Sequence, residues 1–177
     1  MKIFVVPRNY IEKQIDKNPN WIQGKWIISI FSKGGFSPIP NDRFNILKLE
    51  FDDVAERDIS LCSKDCILFN EKHAQQIHEF IEGIPSNSNR SFYIHCDAGI
   101  SRSGAVGYML NEWFNKYLSS NEIDNDNFLK HNAHIMPNPL VVRLLKNEFF
   151  GTDYSGIFVN NYEYNEDGEK IDHTEEV

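Results

Sequence analysis

The sequence is poor in cysteine, in long apolar runs and in basic residues, and each shortage excludes a class of protein. Three Cys among 177 residues are too few for a domain stapled by many disulfides. No apolar stretch reaches the roughly twenty residues of a membrane-spanning helix, and the N-terminal segment turns polar too soon for a signal peptide. Lys and Arg number 18 against 26 Asp and Glu, and the net charge of -8 argues against a nucleic-acid partner. We expect a cytoplasmic protein with reduced thiols that binds neither nucleic acid nor membrane.

The acidic charge is concentrated at the C-terminal end of the chain. From Tyr162 onward there are seven acidic side chains and one basic side chain, Lys170. Such polar, acidic composition is typical of a segment that stays outside the core. We predict a single folded domain in residues 1–150 and a flexible acidic tail in residues 151–177. A second hypothesis for the tail is that Tyr162 and Tyr164, which stand among acidic residues, mimic a substrate.

Short apolar segments alternate with amphipathic ones between these limits. Apolar runs predict strands at residues 26–31, 46–51 and 92–95. Helical spacing predicts helices at residues 70–84, after an N-cap at Asn70, at residues 103–118 and from Asn138-Pro139 onward. Strands that alternate with helices predict an α/β fold, a single domain with a central, mostly parallel sheet flanked by helices on both faces.

Residues 95–104 read HCDAGISRSG, in which five residues separate a Cys from an Arg just after a predicted strand. Ligands of parallel sheets bind where a strand ends and a helix begins. The backbone N–H groups of a short loop of small residues, with the positive end of the next helix, can surround an anion. Arg102 can fork onto two oxygens of a phosphate. We therefore predict a phosphate-binding loop formed by Asp97, Ala98, Gly99, Ile100, Ser101 and Arg102.

The same features act on the Cys96 thiol. A free thiol is mostly protonated at neutral pH, whereas a helix N-terminus, an arginine and several N–H donors favour the thiolate. Cys96 is thus predicted to be a nucleophile in line with a bound phosphorus. Ser103 can hydrogen-bond the sulfur and make it a better leaving group in a second step, and we expect His95 to orient the loop.

A leaving alkoxide or phenoxide needs a proton, so a general acid is expected near Cys96. The best candidates are Asp52 and Asp53, which follow the second predicted strand and so share a sheet edge with Cys96. Asp58 and Glu56 are the third and fourth choices.

The segment HCDAGISRSG resembles the signature of the cysteine-based protein tyrosine and dual-specificity phosphatases, which is His-Cys, five residues, Arg, then Ser or Thr. The run Phe51-Asp52-Asp53 resembles the general-acid loop of compact members and favours Asp53 as the acid. Residues 137–149 resemble their closing helix, so the likeness covers roughly residues 26–150. It implies hydrolysis of phosphotyrosine in proteins or peptides, with phosphoserine and phosphothreonine as further candidates. It also implies a phosphocysteine intermediate, no metal or cofactor, and phosphate or vanadate binding in the loop.

Other functions share parts of this pattern. A non-catalytic module could use the same loop to bind phosphorylated residues, and sulfurtransferases or arsenate reductases can share the Cys-to-Arg spacing. A phosphoinositide phosphatase is disfavoured because the loop contains Asp97 and no Lys. We expect Cys62 and Cys66 to be free structural thiols rather than zinc ligands, although one of them could resolve an oxidised Cys96. We expect His73 and His78 to be solvated.

Overall fold

The computed structural model describes residues 2–40, 43–84, 91–117, 125–152, 163–164 and 170–171. Strands and helices alternate through most of this range. In chain order the elements are β1 (Lys2–Pro7), α1 (Arg8–Lys17), β2 (Trp26–Phe31), β3 (Ile46–Glu50), a 3-10 helix (Glu56–Leu61), α2 (Glu71–Glu82), β4 (Ser91–Cys96), α3 (Arg102–Tyr117), α4 (Asn125–His131), α5 (Pro139–Phe150), β5 (Glu163–Tyr164) and β6 (Lys170–Ile171).

The first four strands form one parallel sheet in the order β1-β4-β2-β3. The register pairs Pro7 with Cys96 and Phe31 with Glu50, so the strands end along a common edge. Parallel neighbours need crossover connections. Helices lie in the connections between β1 and β4 and between β2 and β4, whereas no helix lies in the described residues between β2 and β3. The prediction of an α/β domain with a central parallel sheet is confirmed.

Helices cover both faces of this sheet. On one face α2, α3 and α5 pack on the larger core, which includes Ile28, Ile94 and Phe92. On the other face α1 packs through Ile11 on a smaller cluster. Helix α3 lies very close to β1, because a Cβ at Gly107 would come within 2.5 Å of Val5. The absence of a side chain at Gly107 thus lets the second turn of α3 pack closely on β1.

The elements predicted from apolar spacing end within two residues of those observed. The predicted N-cap Asn70 is present in a capping box at α2, and α5 begins at Pro139, after the N-cap Asn138. The sequence reasoning missed β1, α1 and α4, so it missed an edge strand and the helix that covers the second face. The predicted end of α3 at residue 118 lies outside the described residues.

The C-terminal tail lies largely outside the described residues, and its flexibility stays a prediction. Within the described part, β5 and β6 pair antiparallel, which was not expected. No helix in the described ranges is long and apolar enough to cross a membrane.

Two predictions about side chains were wrong. Cys62 and Cys66 form a disulfide, so neither is a reduced thiol and neither is bonded to Cys96. Their Cα atoms are 6.0 Å apart, a separation that a disulfide spans and that sequence spacing alone does not reveal. His73 is not simply solvated, because its backbone and ring close the capping box with Asn70. Burial, and to a lesser extent Lys72, lowers the pKa of His73 below its ordinary value.

His78 likewise has partners that the sequence reasoning did not supply. Its Nδ1 lies 2.8 Å from Glu148 Oε1 in α5, and its Nε2 lies 3.6 Å from Glu82. The contact between His78 and Glu148 joins α2 to α5, on the face of the sheet where the larger core lies.

Candidate active site

The predicted phosphate-binding loop lies at the carboxyl edge of the sheet, between β4 and α3. Strand β4 ends at Cys96 and α3 begins at Arg102, so residues 97–101 form the whole connection. Cys96 is buried and is the one free cysteine. The end of the strand therefore places the thiol at the start of the loop, and the arginine at the end of the loop is the first residue of the helix.

The backbone of the loop has the polarity expected of an anion site. Its carbonyls are held from outside: Asp97 O accepts from Arg8 N at 3.2 Å, and Ile100 O accepts from Met136 N at 3.2 Å. Ser101 O accepts from the amides of Asn138 and Ala105. Within the described part of the chain, no group accepts a hydrogen bond from the amides of residues 98–101. Those amides remain available to an anion.

Gly99 allows the loop to lie directly on β1. Its φ is +73°, in the left-handed region that favours glycine. A Cβ at this position would also lie 2.5 Å from both Pro7 N and Val6 C, which are backbone atoms that cannot move aside. Both the turn and the close approach therefore require glycine.

The Arg102 guanidinium is buried and has partners on three sides. Its Nη1 donates to Phe51 O at 2.9 Å and to Ser32 Oγ at 3.0 Å, and its Nη2 donates to Asp97 Oδ2 at 2.7 Å. Its Nε has no hydrogen-bond partner among the described residues. The Nη1 edge thus fixes the side chain, whereas Nη2 is held by a carboxylate of the loop itself.

Two residues were predicted to assist Cys96, namely Ser103 and His95, and the structure shows the predicted contact for one of them. Cys96 Sγ lies 3.1 Å from Ser103 Oγ, and both are buried, so the contact expected between them is present. His95 is also buried, and its burial lowers its pKa from 6.5 to about 4. The ring is neutral at physiological pH. Its role in orienting the loop stays a prediction.

The two adjacent candidates for the general acid differ in their contacts. Asp53 Oδ1 accepts from Ser101 Oγ at 2.7 Å, and Asp53 Oδ2 lies 4.0 Å from Arg102 Nε. Asp52 instead accepts from two backbone amides, Lys33 N at 3.1 Å and Ile67 N at 2.8 Å. Asp53 therefore lies at the loop, whereas Asp52 ties together the segments around it.

The third and fourth candidates contact other charges. Glu56 forms an ion pair with Arg143 of α5, and Asp58 lies 3.7 Å from Arg57. In the described ranges neither hydrogen-bonds or ion-pairs with the loop, so the geometry favours Asp53 over both. In the part of the chain that the structure describes, no group of three or more His, Cys, Asp or Glu is arranged to hold a metal ion.

Sequence reasoning missed the contacts of four residues with the site. Ser32 accepts from Arg102, while Arg8 N and Met136 N hold the carbonyls of Asp97 and Ile100. Asn138 was predicted only as the start of a helix, yet its Nδ2 also donates to Asp53 Oδ1 at 2.8 Å. Ser32 and Arg102 are 70 residues apart in the sequence, and Asn138 and Asp53 are 85 residues apart, so no local pattern could have revealed these contacts.

Comparison with known proteins supports the fold. No protein-family model matches the chain, and no curated protein matches it. The crystal structure of a human tyrosine phosphatase-like serine/threonine/tyrosine-interacting protein is 21% identical, with a TM-score of 0.53 over 82% of this chain and 89% of that chain. The crystal structure of the PTP-2 phosphatase of Cydia pomonella is 18% identical, with a TM-score of 0.51 over 83% of this chain and 85% of that chain. The chain therefore has the tyrosine phosphatase-like fold that the resemblance implied.

Proposed function

We propose that the protein is a phosphomonoester hydrolase that removes phosphate from phosphotyrosine in proteins or peptides. The observation that supports this most strongly is the loop between Cys96 and Arg102, whose carbonyls are held from outside while its amides have no acceptor among the described residues. Such a loop suits a tetrahedral dianion directly above a buried thiol.

The proposed reaction has two steps. The Cys96 thiolate attacks phosphorus, the bond from phosphorus to the leaving oxygen breaks, and Asp53 gives its proton to that oxygen. Water then attacks the phosphocysteine, its proton passes to Asp53, and the phosphorus–sulfur bond breaks to release phosphate and the thiolate. Arg102 binds the phosphate in both steps, and the Ser103 hydroxyl stabilises the departing sulfur.

An exposed aromatic ring, connected to the loop through Arg8, supports an aryl phosphate as substrate. Phe36 is 68% exposed, on the segment that follows β2. The Arg8 guanidinium lies 4.5 Å from the centre of this ring, and the Arg8 amide is bonded to the loop. A tyrosine ring could stack on Phe36, whereas the shorter phosphoserine offers no ring to stack.

A phospho-residue binding module is the second candidate function. Phosphate binding would need only the loop and the buried Arg102, whereas turnover would also need a proton from Asp53, whose side chain is partly exposed. The two similar structures do not decide between these functions, because one is of a phosphatase and the other is of a phosphatase-like interacting protein.

Hydrolysis of a panel of phosphotyrosine, phosphoserine and phosphothreonine peptides, with chelator present, tests the proposal. The wild type should release phosphate and yield a phosphocysteine adduct by rapid-quench mass spectrometry. Cys96→Ser should lose turnover yet still bind phosphate, and Arg102→Lys should lose both. The double variant Cys62→Ser/Cys66→Ser is the matched control and should keep turnover. Phosphate release by Cys96→Ser at the wild-type rate would refute the mechanism.

A further inference from the structure

Asn138 joins three parts of the proposed active site. It is 3% exposed and precedes α5. Its amide N–H donates to Ser101 O of the phosphate-binding loop at 3.3 Å. Its side chain donates to Asp53 Oδ1 at 2.8 Å and to Val54 O at 3.2 Å. A single buried residue thus links the loop, the segment that contains the proposed acid and the start of α5.

The orientation of the Asn138 amide is fixed by its other bonds. Its Oδ1 accepts from the backbone N–H groups of Leu140 at 3.0 Å and Val141 at 3.3 Å, as an N-cap does. A flipped amide would direct NH₂ at two N–H donors. The group that faces Asp53 is therefore the NH₂, which can only donate.

This donor determines which oxygen of Asp53 can hold a proton. Oδ1 accepts from the Asn138 amide at 2.8 Å and from the Ser101 hydroxyl at 2.7 Å, so an acidic proton on Oδ1 would have to replace one of these two accepted hydrogen bonds. The remaining oxygen, Oδ2, lies on the side of Arg102 Nε, at 4.0 Å. The proton is thereby left on the oxygen that faces the phosphate-binding arginine.

We infer that Asn138 is a positioning residue that, together with Ser101, reserves Oδ1 of Asp53 as a hydrogen-bond acceptor and leaves Oδ2 to deliver the proton to the leaving group. The inference rests on the proposed function. It predicts that Asn138 matters for substrates whose leaving oxygen needs a proton and does not matter for those whose leaving oxygen departs as a stable anion.

The test compares turnover of a poor leaving group, phenyl phosphate, with that of a good one, p-nitrophenyl phosphate. Asn138→Ser keeps an N-cap oxygen but removes the amide donor. We expect about a tenfold loss of kcat on phenyl phosphate, the worth of one hydrogen bond to a charged group, and little change on p-nitrophenyl phosphate. Asn132→Ser is the matched control, because Asn132 follows α4 and its side chain donates to Phe128 O rather than to Asp53.

A double-mutant cycle separates this role from a general effect on folding. In an Asp53→Asn background, Asn138→Ser should cost nothing further on phenyl phosphate, because there is no acid left to position. Ser101→Ala removes the other group at Oδ1 without touching the α5 cap and should show the same leaving-group signature, which keeps the test valid if Asn138→Ser folds poorly.

Each outcome decides between the inference and the function on which it rests. If Asp53→Asn shows the leaving-group effect while Asn138→Ser and Ser101→Ala slow both substrates equally, the positioning role is refuted and the proposed acid survives. If Asp53→Asn itself shows no leaving-group effect, the acid assignment fails and the inference fails with it. An equal loss from Asn138→Ser with and without Asp53 would also refute the positioning role.

Discussion

Two segments leave the carboxyl edge of the sheet, one after β4 and one after β3, and they are held in different ways. The loop at residues 97–101 is fixed by its own backbone, through carbonyls bonded to Arg8, Met136 and Asn138. The segment at residues 52–66, called here the acid segment, is held at its start by the side chains of Asp52 and Asp53 and is otherwise mostly exposed. The phosphate-binding loop is thus held through main-chain hydrogen bonds, whereas the position of the acid depends on hydrogen bonds made by side chains.

The strongest test of this contrast is Gly99→Ala. The added methyl group would meet the backbone of Val6 and Pro7 at 2.5 Å, so the loop must move away from β1. A displacement of about 1 Å at a reacting group can cost on the order of a hundredfold in rate, and we expect at least about that loss of turnover. Phosphate binding, measured by calorimetry in the Cys96→Ser background, should weaken as well.

Gly34→Ala is the matched control for that substitution. Gly34 has a similar φ of +72°, but nothing lies within 4 Å of its Cβ position. It shares the backbone strain of Gly99→Ala without the collision. If the two variants lose activity equally, the close packing of the loop on β1 is not what holds its geometry.

The next test compares the two neighbouring aspartates of the acid segment. Asp53→Asn keeps an acceptor for Ser101 and Asn138 but removes the proton donor, so turnover of phenyl phosphate should fall about a hundredfold at unchanged stability. Asp52→Asn directs an NH₂ at a backbone donor, Lys33 N or Ile67 N, and should lower the free energy of unfolding by about 1–3 kcal/mol. Steady-state kinetics and urea titrations of both variants measure the two effects.

Exchanged effects would reverse the assignment. If Asp52→Asn showed the dependence on the leaving group and Asp53→Asn only lost stability, Asp52 would be the acid. The measurement thereby decides between the two choices that the sequence left open.

The same contrast explains what could be predicted from the sequence. The loop signature, the apolar strand before it and the apolar helix after it are local, so Cys96, Arg102 and the loop between them could be identified together. The contact of Ser103 with the sulfur follows from the same local turn. Asp53 could be ranked only through a resemblance, because its partners lie on α5 and on the phosphate-binding loop.

Two physical reasons explain why β1, α1 and the disulfide were not predicted from the sequence. Strand β1 is a short apolar run in which only Val5 is fully buried, and α1 is a mostly polar helix in which only Ile11 is fully buried, so each contributes a single residue to the fully buried core. The Cys62–Cys66 disulfide depends on a turn that brings two Cα atoms together, and the spacing of four residues does not specify that turn. Three-dimensional contacts, and not composition, determined both features.

The buried end of β4 allows a third test. Burial lowers the pKa of His95 to about 4, so between pH 6.5 and 4 the unfolded chain takes up a proton that the folded chain does not. Stability is then highest above pH 6.5 and falls as the pH drops through this window. From pH 7.5 to pH 5 the contribution of His95 to this loss is about 2 kcal/mol.

Urea titrations of wild type and His95→Gln at both pH values measure that contribution. The variant should lose about 2 kcal/mol less than the wild type on acidification. His134→Gln replaces an exposed histidine and should lose as much stability as the wild type when the pH is lowered. If the stability of His95→Gln depended on pH as that of the wild type does, the His95 ring would be in contact with water rather than buried at the end of β4.

The smallest expected effect concerns the one side chain of the loop that opposes its own function. Asp97 Oδ2 accepts from Arg102 Nη2 at 2.7 Å, so a phosphate that engages this edge of the guanidinium must displace a carboxylate. Asp97→Asn removes the charge and should tighten inorganic phosphate binding about tenfold, or about 1.4 kcal/mol, in the Cys96→Ser background. Asp16→Asn, an equal change of charge on the exposed side of α1, should leave the affinity unaltered. Weaker binding in Asp97→Asn would instead mean that this carboxylate holds Arg102 in position for phosphate. The loop would then depend on a side chain for its geometry, as the acid segment does.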